Sequence, residues 1–269
     1  MMPRVDLPGL LDRTPEPLRP LVDLGQRCAE RCIEIEVFDR AMALAGQAFA
    51  ALLPLLIVIS AASPSDGRDV ADTLIGEFKL SGSAAEALRG ALTRPPGPES
   101  SVSLLSFLIL AISALSFTRA MQRLHVRAWR LPSMGLRGNT WGLAWLAAFI
   151  VWSSAQPLIV SLFDGVLAFV VSETLATLLW MLTPWLLLGR RLPFRKLLFQ
   201  GLLTAVGLLA LSVSAAVYAP RAIAGAAADF GVIGVAFSLL TLLFCVMFVF
   251  VIAAAVGATL TEWQEERRA

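Results

Sequence analysis

The apolar residues of this chain come in blocks of roughly 20 with almost no charge inside them, the length a helix needs to cross a hydrocarbon core of about 30 Å. No other property limits the fold as severely. Inside a bilayer every backbone donor and acceptor has to be satisfied within the segment, which leaves helices or a closed barrel, and blocks this long are helical. Of the 269 residues, 57% are hydrophobic and 16% charged, against about 45–50% and about 25% in soluble domains. The chain is expected to be all-α, a polytopic bundle of six transmembrane helices.

The predicted spans are Ala41–Ala62, Val102–Thr118, Thr140–Leu162, Val166–Leu188, Leu197–Tyr218 and Val232–Leu260. Lys/Arg bias in the connections sets their direction. Arg119, Arg123, Arg127, Arg130 and Arg137 follow the second span, and Arg190, Arg191, Arg195 and Lys196 follow the fourth. The short connections on the opposite side carry Arg221 alone, against Asp164 and Asp229. The basic side is expected to be cytoplasmic, with both termini there.

This divides the chain into a cytoplasmic N-terminal segment (1–38), a membrane domain (39–261) with a long outer loop (63–101), and a short cytoplasmic tail (262–269). No signal peptide opens the chain, so the first span is expected to act as its own insertion signal. Residues 1–17 carry the run Thr14–Pro17 and are expected to be loosely ordered. After Pro20, Leu21, Leu24, Cys28, Cys32 and Ile35 recur at steps of three or four, which predicts an amphipathic helix along the interface. In the outer loop, Leu74, Phe78, Leu88 and Leu92 have helical spacing, and Ser83 with Glu86 reads as a capping box. Two short amphipathic helices are predicted there, ended by Arg94 and its prolines; they form either a cap over a cavity or an interfacial pad.

Composition narrows the chemistry. A net charge of +2 without a single basic stripe gives no nucleic-acid partner. Cys28, Cys32 and Cys245 make no disulfide framework, and with one histidine in the chain they form no metal site. No phosphate-binding loop is present, no nucleophile–base constellation is visible, and no cofactor is expected. The chain does not read as an enzyme.

Polar residues inside spans are costly and therefore worth weighing. Gln47 and Pro54 in the first span could form a polar hinge on a cavity, or Gln47 could bond a neighbouring helix while Pro54 bends the span for packing. Gln156 with Pro157 repeats the pairing in the third span, and Pro184 falls in the fourth. Glu173 is either about 10 Å deep in the fourth span, with Arg221 a candidate partner, or an interfacial residue. These four positions, Gln47, Pro54, Gln156 and Glu173, are the candidate substrate path. Arg119, Arg123, Arg127 and Arg130 recur at steps of four and three near one helix face. They suit anionic headgroups, or serve only as a topology signal. Small residues, including Ala41, Ala45, Ala48, Gly231, Gly234 and Gly257, are candidate helix-contact strips. Membrane lipids are the expected partners, and the small-residue strips are compatible with a homo-oligomer or an envelope protein partner.

Several stretches resemble the YihY/BrkB family of bacterial inner-membrane proteins. They are the small-residue-rich run from Asp39 and Arg40 through Gln47 to Pro54, and the stretch from Ser116 and Arg119 through Gln122 to Trp129, Arg130 and Pro132. Tyr218 with Pro220, Phe230–Gly231 with Gly234, and Val256–Gly257–Ala258 complete the series in order across nearly the whole chain. His125 departs from the aromatic residue that relatives tend to carry. The resemblance implies a multi-pass protein of the bacterial inner membrane, with a role in envelope integrity and transport of a lipid or lipid-like molecule. A non-transporting scaffold for envelope assembly is the alternative. An old family label, ribonuclease BN, has no chemical support here, because metal-assisted RNA hydrolysis needs clustered His and carboxylate ligands.

Overall fold

The structure, a computed structural model, describes residues 18–62, 72, 75–76, 82, 85–86, 89, 99–135, 138–163 and 165–268. Every regular element among them is helical. In chain order they are α1 (Arg19–Glu34), α2 (Val37–Ala62), α3 (Glu99–Ala128), α4 (Gly138–Val160) and α5 (Gly165–Leu187). A single 3-10 turn (Phe194–Leu197) then leads into a helical run, Leu198–Glu266, that breaks at Gly231. The break divides the run into α6 (198–230) and α7 (232–266).

Among the described residues three helices are long and apolar enough to cross a membrane by length and composition: Gly165–Leu187, Phe194–Gly231 and Ile233–Glu266. α2, α3 and α4 have 26, 30 and 23 residues, hence lengths of roughly 35–45 Å at about 1.5 Å per residue. Many large apolar side chains stay exposed on the bundle, Val151, Val166, Phe169, Val213, Ile233 and Phe237 among them. That arrangement suits a lipid solvent, where an apolar outer face costs nothing.

The fifth predicted span was expected to stop at Tyr218. Instead α6 runs on through Pro220 to residue 230. Ala219, Ala222, Ala224 and Ala226–Ala228 supply strong helix formers there. The chain turns only at Gly231, whose φ of 59° and ψ of −137° belong to a region open to glycine alone. Gly234 then lies directly against the Ala226 carbonyl, with no room for a side chain.

Burial concentrates at one end of the bundle, here called the basic end. Ile35, Leu187, Leu188, Leu197, Val251, Ala254, Ala255 and Ala258 are fully buried there. α2 packs on α3 and α7, with Phe38 stacked near Phe248 and Phe244 at 5.0 and 6.4 Å. α4 packs on α3 and α5, and α5 on the α6–α7 run. Trp145 and Phe149 of α4, Trp180 of α5 and Phe250 of α7 form a line of ring contacts through the bundle. Small residues bring the helices close: a side chain at Gly257 would meet the Gln200 backbone, and one at Gly201 would meet Met181.

Helix ends at the basic end are closed by local geometry. Glu36, Arg130 and Arg190 have φ of 57°, 48° and 61°, the left-handed region in which charged residues are uncommon. The Leu131 N–H reaches the Val126 carbonyl and the Arg190 N–H the Trp185 carbonyl, each at 2.9 Å, so the last turns of α3 and α5 are satisfied. The Arg190 guanidinium lies over the rings of Trp185 and Trp141, at 4.5 and 5.3 Å.

α1 covers the sequence-predicted stretch, but its one buried side chain is Arg31 rather than an apolar residue. In the outer loop, helical residues occur at 72, 75–76, 85–86 and 89, with a turn at Gly82 (φ 60°). Asp72 and Arg89 pair at 2.9 Å, and Ala85 packs on Ile223 of α6 beside Ile75, Ala219 and Val235. Residues 1–17, Leu74, Phe78, Ser83, Leu88, Leu92, Arg94, Arg137 and Asp164 lie outside the described residues.

Candidate functional site

The arginines of α3 open onto a cavity of about 550 Å³ at the basic end. Arg119, Arg123 and Arg127 line it from α3 at successive steps of four, Arg40 from the start of α2, and Asn139 from the first turn of α4. Gln122, Val126 and the linker residues Ser133, Met134 and Gly135 complete the wall. Among the described residues no carboxylate lines it. At its edge Glu36 lies 3.5 Å from Arg127 and 3.7 Å from Arg40.

Two of these arginines are held in a particular way. Arg40 donates from Nε to the Ile35 carbonyl at 2.7 Å, and Arg119 donates from Nε to Asn139 Oδ1 at 3.0 Å. Each guanidinium plane is thus fixed by its inner nitrogen, leaving the paired Nη groups for a bidentate contact with carboxylate or phosphate. Arg123 makes no ion pair or hydrogen bond among the described residues. The first turn of α4 adds its partial positive charge, since its N–H groups precede any intrahelical acceptor.

The floor of the cavity is rigid. Gln122 is buried and donates from Nε2 to the carbonyls of Leu187 (2.8 Å) and Gly138 (3.2 Å). The Leu187 oxygen is one of the end carbonyls that α5 cannot satisfy by itself. A side chain at Gly138 would meet the Gln122 amide and push it off its two carbonyl partners. One turn further, buried His125 bonds the Met121 carbonyl through Nδ1 at 2.7 Å, and the Trp129 indole donates to buried Gln200 at 2.9 Å.

Of the arginines read from the sequence, Arg119, Arg123 and Arg127 line the cavity, whereas Arg130 is committed elsewhere. It pairs with Glu34 of α1, and this hydrogen bond holds the Glu34 carboxyl below the usual carboxylate range while raising Arg130 in turn. Arg40 is the residue the sequence did not single out. Its position at the mouth of a span was visible, but its place opposite the α3 strip is a tertiary relation.

Of the four polar positions read as a path, Gln47 and Glu173 have described side chains. Gln47 is half-buried, seven residues beyond Arg40 and so on nearly the same face of α2. Its Oε1 is buried and has no hydrogen-bond partner. Glu173 is half-buried, and its backbone carbonyl accepts from Thr177 Oγ1 at 2.9 Å. Its carboxylate forms no ion pair with Arg221, which instead bonds the Val217 carbonyl at 2.9 Å. Pro54 and Gln156 belong to the helical runs of α2 and α4, and their side chains fall outside the described part of the structure.

A second, apolar cavity of about 370 Å³ lies at the α1–α2 junction, lined by Cys32, Ile33, Val37, Phe38, Phe248 and Ile252, with Glu36 and Asp39 at its margin. Glu36 therefore stands between the two cavities. Cys28 and Cys32 are free thiols, pushed up in pKa chiefly by burial. Among the described residues no group of three or more His, Cys, Asp or Glu is placed to hold a metal ion. Comparisons of the chain with protein-family models, with curated proteins and with solved structures find no match.

Proposed function

We propose that the chain is a six-span protein of the bacterial inner membrane, of the YihY/BrkB type, that handles an anionic lipid or amphiphile and takes its headgroup at the basic end. The observation that carries this reading is the cavity between α2, α3 and α4, where four arginines, two of them fixed through Nε, face a space that no carboxylate lines among the described residues. Long apolar helices elsewhere in the same bundle support a membrane setting. The basic connections favour a cytoplasmic position for this end and for both termini. The apolar cavity on the far side of Glu36 offers a surface for a hydrocarbon chain beside the headgroup.

In this reading the protein moves its ligand between leaflets, with Gln47 the first polar contact beyond the headgroup pocket and Glu173 on a separate helix. The bundle carries no nucleotide-binding loop, so movement is passive or ion-coupled. A second reading, a scaffold that binds lipid without moving it, is favoured by the tight packing of Leu187, Leu188, Val251, Ala254 and Ala258 next to the pocket.

Lipid exchange between leaflets of vesicles containing the purified protein separates the two. Transport predicts exchange well above that of empty vesicles, lost in Gln47→Leu and in Arg119→Gln/Arg123→Gln. Exchange no faster than in empty vesicles, for anionic and neutral headgroups alike, would leave the scaffold.

A further inference from the structure

Resting on the reading of the basic cavity as a headgroup site, the geometry points to a terminal phosphate, a phosphomonoester, as the group it takes, with Glu36 as the carboxylate that this phosphate displaces. Glu36 is loosely held. Most acids at this end have a close partner: Glu262 lies 2.6 Å from Arg31, Glu266 2.7 Å from Arg27 and Glu265 2.8 Å from Lys196, while Glu34, 3.8 Å from Arg31, bonds Arg130 closely. Glu36 instead lies 3.5 Å from Arg127 and 3.7 Å from Arg40, beyond the 2.7–2.9 Å or so of a charge-assisted hydrogen bond. It balances charge for two arginines without bonding either well. It is half exposed, at the junction of α1 and α2, and can turn into water when a better anion arrives.

Arg40 and Arg119 come from two different helices, each held by Nε and each presenting its Nη pair, with Arg123 and Arg127 beside them. A phosphodiester carries one negative charge and two free oxygens, so one bidentate arginine already balances its charge. A phosphomonoester carries about −1.5 to −2 near neutral pH and three free oxygens. It can accept from several guanidinium groups at once and leaves less of the pocket's positive charge unbalanced once Glu36 withdraws. The same phosphate could sit on a lipid or on a soluble ester, and the test is built to tell them apart.

The full-length protein, in nanodiscs of neutral phosphatidylcholine, is titrated calorimetrically with short-chain phosphatidic acid, short-chain phosphatidylglycerol and glycerol phosphate. Phosphatidic acid is expected to bind at least about tenfold more tightly than phosphatidylglycerol, as one or more added charge-assisted hydrogen bonds would give. Glu36→Gln is expected to tighten phosphatidic acid binding several-fold with unchanged thermal unfolding, and Arg119→Gln/Arg123→Gln to abolish it. Equal binding of the two lipids overturns the terminal-phosphate assignment while leaving a headgroup site in place. Absence of binding by every anion, in wild type and in Glu36→Gln, overturns the headgroup reading itself. Glycerol phosphate binding as tightly as the lipid supports the terminal phosphate and moves the ligand from the membrane to the aqueous phase. Weaker binding in Glu36→Gln removes Glu36 from the role of displaced carboxylate.

Discussion

Arg31 donates from Nη2 to Glu262 at 2.6 Å, joining the first helix to the last across nearly the whole length of the chain. Its Nη1 also bonds the Ala128 carbonyl, an end carbonyl of α3 with no intrahelical donor. One side chain, 4% exposed, therefore fastens α1, α3 and α7 together. Arg31→Gln should lower stability in detergent by about 2–4 kcal/mol, because it leaves a carbonyl and a half-buried carboxylate without their donor. Arg31→Lys should recover less than half, since a single ammonium cannot reproduce the forked contact. Thermal unfolding of the two variants checks both figures; a loss under about 0.5 kcal/mol for Arg31→Gln would class the contact with ordinary surface pairs.

Glu34 and Arg130 give a pH signature to the same docking of α1. The Arg130 hydrogen bond is the largest influence on Glu34 and holds its carboxyl below the ordinary value. A depressed carboxyl stabilises the fold at pH above its unfolded value of about 4.3. That contribution is lost as pH falls through this value and on through the folded one. Both side chains are about half exposed (47% and 59%), so the effect should stay below about 1 kcal/mol. Unfolding of wild type and Glu34→Gln should differ near neutral pH and converge below about pH 4. A difference that persists undiminished in acid would mean that the carboxylate charge is not its source.

What could be read from the sequence follows the range of the interactions involved. Steps of four placed Arg119, Arg123 and Arg127 on one helix face, and they do line one cavity, because that relation is internal to α3. The apolar stripe of Leu24, Cys28 and Cys32 located α1 for the same reason. Arg31 in the same helix is buried by acceptors at 128 and 262, which periodicity within α1 does not reveal. Arg40 was missed, and Arg130 was grouped with the wrong partners, because α2 and α1 reach α3 only in the folded bundle. Gly231 was recognised as a small residue in a contact strip. Its use as the break between α6 and α7 depended on how far the alanine-rich run before it would stay helical.

Gly257 tests the close approach of α6 and α7. A Cβ at this position would lie 2.6 Å from Gln200 Cα and 2.8 Å from its backbone nitrogen, so backbone rather than a flexible side chain would have to move. Gln200 also accepts the Trp129 indole proton, and displacing it strains that bond. Gly257→Ala should cost about 1–3 kcal/mol, the usual range for overpacking, and Gly257→Val more. Near-UV circular dichroism should register the change around Trp129. Wild-type melting in Gly257→Val would show that the two helices separate without cost and that the contact is not a packing constraint.

Gln47 allows stability and function to be read separately. Its Oε1 is buried with no hydrogen-bond partner, an arrangement that costs about 1–3 kcal/mol when nothing offsets it. Replacement by an apolar residue of similar shape removes that cost. Gln47→Leu should therefore unfold at a higher temperature than wild type, by the equivalent of about 1 kcal/mol, while lipid exchange in vesicles falls to the level of empty ones. Stabilisation with loss of activity is the pattern expected where a polar group is kept for its ligand at the expense of the fold. If Gln47→Leu instead destabilises the protein, the amide is forming bonds that hold the helices together. Stabilisation with unchanged exchange would take Gln47 out of the path and leave the proposed route to the arginine pocket, Gln156 and Glu173.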